Sequence, residues 1–138
     1  MASSDIFAEE VVRLVATAGG SWWLGILESR PQDADDLAAA VPVDVAPIPP
    51  VEIPRDPATW SDATARQIHL AEDVIMPAAT AECSPAAWCL FADEALTTPV
   101  VCGWLADPQT GPMPASVVLI LPAQTVALSF PDRLAVLA

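Results

Sequence analysis

Seven prolines at positions 31, 42, 47, 49, 50, 54 and 57 constrain this chain more than any other feature. Proline donates no backbone hydrogen bond and breaks helix interiors, so the stretch 31–57 reads as an extended arm or long loop. Asp33, Asp35 and Asp36 open it and leave room for a short helical turn over 35–40. Loops this long are usually functional or disordered. The arm divides the chain into an N-terminal helix and first strand (1–30), a Pro-rich acidic arm or long loop (31–60), and the remaining strands of the same single β-domain (61–138).

Ahead of the arm, Phe7, Val11, Leu14 and Val15 recur at i, i+4, i+7 and i+8, which predicts a helix with that stripe as its apolar face. Ser4 or Asp5 can cap its start, Gly19 and Gly20 stop it, and Glu9 and Arg13 sit four apart on the opposite face. The next run, 21–27, holds Trp22, Trp23, Leu24 and Ile26 without helical spacing and reads as a buried strand. Beyond Trp60, short apolar runs at 66–70, 74–76, 86–91, 100–105, 117–121 and 125–130 are separated by turn residues. Such spacing predicts a mainly β fold, an antiparallel β-sandwich or small barrel preceded by one helix and the extended arm. Both faces of 86–91 and 117–121 are apolar, so both sides of these strands are expected to be covered, most simply by another subunit.

Composition points the same way. The 138 residues are 54% hydrophobic and only 17% charged, against about 25% charged in an ordinary globular chain. That excess favours burial against other subunits, either copies of this chain in a homo-oligomer or a different protein. The net charge is −13 and the five cations, Arg13, Arg30, Arg55, Arg66 and Arg133, are scattered, which argues against nucleic acid and anionic lipid as partners. The most apolar stretch, 115–130, is interrupted by Pro122 and Gln124 and is too short to span a bilayer. Asp5, Glu9 and Glu10 stand where a signal peptide would carry positive charge, so synthesis in the cytoplasm is expected.

Residues able to do chemistry are present without the spacing that chemistry needs. Cys83, Cys89 and Cys102 form no C-x-x-C pair, and His69 cannot complete a zinc pattern. Cys89 and Cys102 fall in neighbouring predicted strands and could face one another, though reduced core thiols are the simpler reading. Adjacent acids such as Glu72 with Asp73 and Asp93 with Glu94 point opposite ways along a strand or sit in a solvated turn, unlike the facing pair of a glycosidase. The acidic group at 33–36 lacks the glycine and closing glutamate of a calcium loop, and no phosphate-binding glycine loop occurs. No catalytic residue, metal or cofactor is therefore expected. Four of the five tryptophans lie in apolar runs, whereas Trp60 adjoins the arm. Partner contacts are accordingly expected at Pro42, Ile48, Pro49, Pro50, Ile53 and Trp60.

Several stretches carry a resemblance. WWLGILESRPQD (22–33) is an apolar strand ending in an acidic, proline-marked turn, and VIMPAATA (74–81) is close to a V-x-F-P-A-A-T-A pattern with Met76 in place of phenylalanine. WCLFAD (88–93) is a tryptophan strand closing on phenylalanine and aspartate, Gly103 and Leu105 end the next one, and LPAQ (121–124) approaches an F-P-A-G corner with Leu121 in place of phenylalanine and Gln124 where glycine is usual. In this order the elements resemble a family of small tailed-phage virion proteins, often labelled tail-fibre or structural proteins, over nearly the whole chain. The resemblance implies a non-enzymatic virion component made in the host cytoplasm, a homo-oligomer with a trimer as one form, with the major capsid protein or tail proteins of the same particle as partners. A capsid-decoration (cement) subunit on the head is expected first; a minor tail or tail-fibre component, or a carbohydrate- or receptor-binding β-sandwich module, is the alternative.

Overall fold

The computed structural model describes residues 4–41, 43–105 and 112–130. Helix α1 (Asp5–Ala16) starts where Ser4 Oγ accepts from the Phe7 N–H at 3.2 Å. It ends ahead of Gly19 and Gly20, which take φ of +95° and +74°, values that favour glycine. Strand β1 (Ser21–Leu27) follows, then helix α2 (Ala34–Ala40), capped by Asp33, and strand β2 (Val51–Pro54). The remaining strands are β3 (Gln67–His69), β4 (Val74–Ile75), β5 (Ala87–Phe91), β6 (Pro99–Trp104), β7 (Ile120–Leu121) and β8 (Ala127–Ser129).

The fold is mainly β and antiparallel throughout these ladders, and it does not close into a barrel. Four strands form the main sheet in the order β2-β1-β5-β6, while β3 pairs with β8 and β4 with β7. Alternation along the main sheet sends Trp22, Leu24, Ile26, Trp88 and Leu90 into the larger core, with Val12 and Ala16 of α1 and with Ile68, Met76, Leu121 and Leu128 of the two-stranded ladders. On the opposite face Leu27, Ala87, Cys89 and Phe91 form a smaller cluster, against which Leu37, Val41 and Val45 pack. All five residues of β5 are buried, as its two apolar faces require. The cover is the chain's own α2 and Leu96 rather than another subunit. The run 117–121 differs, since Val117, Val118 and Ile120 are exposed and only Leu121 is buried.

The proline-rich stretch folds back onto the domain. After α2, the Glu28 N–H donates to the Asp44 carbonyl and the Ala46 N–H to the Ile26 carbonyl, joining 44–46 to the end of β1. Strand β2 then pairs with the first half of β1, from Ser21↔Pro54 to Leu24↔Val51. Pro50 precedes β2 and Pro54 ends it without disrupting it, because among the described residues it is an edge strand paired with β1 alone.

The helix packs by a different stripe from the one its larger side chains suggest. Ala8, Val12 and Ala16 are buried, whereas Phe7, Leu14 and Val15 are 51%, 66% and 42% exposed. Small alanines let the helix axis approach the β3/β8 ladder closely, and the bulkier stripe is left outside. Glu9 and Arg13 are not paired with each other: Glu9 accepts from the Ala65 N–H, and Arg13 pairs with Glu10 at 3.1 Å.

Candidate functional site

The residues expected to contact a partner do not form one surface. Ile48, Ile53 and Trp60 are 3%, 4% and 2% exposed and belong to the chain's own core. Trp60 meets Trp22 edge-to-face at 6.0 Å, and its indole N–H donates to the Pro54 carbonyl at 3.2 Å. These three cannot serve a partner while the fold is intact, because apolar burial within the domain has already claimed them. Pro49 is exposed and Pro50 half-buried, while Pro42 lies outside the described residues. The exposed indole is Trp104 at the end of β6, 55% accessible although it lies in an apolar run.

An apolar surface does exist, on the outer side of α1. Val11, Val12 and Val15 of the helix, Trp22, Val100 and Val101 of the sheet, and Leu128 and Phe130 line a groove of about 230 Å³. Phe7 stacks edge-to-face on Phe130 at 5.8 Å, extending the surface along the helix toward Ile6. Arg66 holds this end: it pairs with Asp5 at 3.0 Å, donates through Nε to the Phe130 carbonyl at 3.3 Å, and lies 5.9 Å from the Phe130 ring centre. Beside the groove, β6 pairs among the described residues with β5 alone, so that within them its outer backbone groups form an open sheet edge next to Val100. The helical spacing of Phe7, Val11, Leu14 and Val15 is the sequence signal for this surface, and Phe7, Leu14 and Val15 face outward.

A second cleft, about 370 Å³, runs between β2 and residues 70–75 and carries Glu52, Glu72 and Asp73. Two of these carboxylates serve the fold: Glu52 accepts from the Ser21 hydroxyl at 2.7 Å, and Asp73 accepts from the Ala123 N–H at 2.7 Å. Asp93 likewise works in the β5–β6 turn, accepting from the Thr97 hydroxyl and from the N–H groups of Thr97 and Thr98. These bonds, the Thr97 hydroxyl above all, hold its carboxyl below the usual aspartate value. His69 Nδ1 lies 2.8 Å from the Leu70 carbonyl, and Cys83 is buried, its thiol pushed up by burial and by Glu28. Among the described residues no group of three or more His, Cys, Asp or Glu side chains is arranged to hold a metal ion, and no helix is long and apolar enough to cross a membrane.

No protein-family model, curated protein or solved structure matches this chain.

Proposed function

We propose that this chain is a non-enzymatic structural subunit of a tailed-phage virion, a decoration protein of the head surface that assembles as a homo-oligomer against the major capsid protein. The observation that carries this reading is the outward apolar stripe of α1, continuous with the groove at Val100 and Phe130 and adjoining the open edge of β6. Surface of this kind on a chain with few charges favours association. The LPAQ corner is a turn in which the Thr125 N–H donates to the Pro122 carbonyl and Gln124 takes φ of +79°, the conformation a glycine at that position would favour.

The partner contact moves, on this reading, from the proline-rich stretch to α1, β6 and Phe130. The test is mass measurement in solution together with co-sedimentation with purified heads and tails of the parent particle. A stable oligomer that saturates heads is the expected result. Binding to tails alone would reassign it to the tail, and a lone monomer that binds neither would end the proposal.

A further inference from the structure

Strands β5 and β6 place two of the three cysteines directly opposite one another, Cys89↔Cys102. The Leu105 N–H donates to the Ala86 carbonyl at 3.2 Å, which marks 86/105 as a hydrogen-bonded pair. Pair types alternate along an antiparallel ladder, so counting through Ala87↔Trp104 and Trp88↔Gly103 makes Cys89↔Cys102 a non-hydrogen-bonded pair. Opposing Cα atoms at such positions approach to about 4.5 Å, inside the roughly 4.4–6.8 Å range that a disulfide spans. Both side chains point to the smaller cluster under α2, whereas Cys83 belongs to the core on the opposite face. Cys89 is fully buried and Cys102 is half-buried, so a reagent reaches one sulfur and not the other.

We propose that Cys89 and Cys102 form a cross-strand disulfide site, oxidised in place by thiol–disulfide exchange with a small disulfide. The Cys102 thiolate attacks one sulfur of the reagent and releases its partner as a thiolate. The Cys89 thiolate then attacks Cys102 Sγ and displaces the second half. One S–S bond breaks and one forms, and the two cysteine protons and two electrons end on the two small-molecule thiols. Burial and the neighbouring Cys102 push the Cys89 thiol up to about 12, which makes it the slow, resolving partner and makes closure faster as pH rises. The bond ties the edge strand β6 to the sheet interior. This chemistry holds whether or not the chain is a virion protein.

The test uses the full reduced chain under native conditions with oxidised glutathione, read by intact mass, thiol titration after unfolding, and digestion with a protease that cuts after Glu94. The expected product is a monomeric chain lighter by about 2 Da, with one thiol left and the peptides on either side of Glu94 still joined. Cys83→Ser is expected to oxidise in the same way, and Cys102→Ser to form no intramolecular bond. A persistent glutathione adduct, a bond to Cys83, a disulfide-linked dimer, or three unreacted thiols would each overturn the proposal.

Discussion

Arg55 holds its guanidinium 4.1 Å from the centre of the Trp22 ring while donating through Nε and Nη2 to the Val15 carbonyl at 3.2 and 2.6 Å. One side chain thus covers the first aromatic residue of β1 and satisfies a carbonyl in the last turn of α1, where positive charge is favoured. Arg55→Ala is expected to cost about 1–2 kcal/mol in urea unfolding. Arg55→Lys should recover less than half of that loss, because an ammonium cannot stack flat and reach the carbonyl with two donors.

Gly103 lies beneath Trp88: a Cβ there would come within 2.4–2.6 Å of three indole atoms. Gly103→Ala is therefore expected to destabilise by about 1–3 kcal/mol through overpacking. In the Trp88→Leu background the same change should cost much less, and a double-mutant cycle of denaturation midpoints measures that coupling.

Gln124 has a positive φ in the Pro122–Thr125 turn. Gln124→Gly removes the strain of a side chain in the left-handed region and is expected to raise stability by about 0.5–1 kcal/mol, read as a higher thermal midpoint.

Leu14 and Val15 stand outside the buried stripe of α1. Leu14→Gln with Val15→Gln should leave the melting temperature nearly unchanged, as surface substitutions usually do within about 0.5 kcal/mol. If the proposed assembly role holds, the same pair weakens self-association and particle binding at least about tenfold, equivalent to some 1.4 kcal/mol.

Asp93 and Asp56 both have carboxyls lowered from their ordinary value, Asp93 chiefly by the Thr97 hydroxyl and Asp56 by the Thr59 N–H. A depressed folded pKa contributes stability that is present above the unfolded value and lost as pH falls through the folded one. General acidification also relieves repulsion within a chain of net charge −13, so the informative quantity is a difference. The stability gap between the native chain and Asp93→Asn is expected to be constant near neutrality and to shrink below about pH 4, followed by denaturant midpoints across pH.

The strands were legible because they are short apolar runs between turn residues: β1, β3, β4, β5, β6 and β8 lie within two residues of where those runs fall. What escaped was decided by tertiary fit. β2 is hidden by its flanking prolines, yet its edge position removes the penalty a proline would carry inside a sheet. The apolar stripe of α1 is legible in the sequence, but not which way it faces: Phe7 and Leu14 outweigh Ala8 and Ala16 in hydrophobicity, yet the alanines are buried and the larger side chains are exposed. Trp60 adjoins a polar stretch in sequence but is enclosed by residues far along the chain. Removing residues 42–57 would delete β2, Ile48 and Ile53 together, so loss of cooperative unfolding is expected rather than an intact domain with weakened attachment.

Strand β1 is bordered on one side by two pieces of the proline-rich stretch, at 44–46 and at β2, and on the other by β5. During synthesis the first border emerges soon after β1 and the second only much later. The nascent chain can therefore shelter one margin of β1 early, while the other waits for β5 to leave the ribosome. Slow passage through that interval exposes an unpaired apolar strand, and the holdase capacity of the cell that makes the chain becomes a determinant of how much protein reaches the native state.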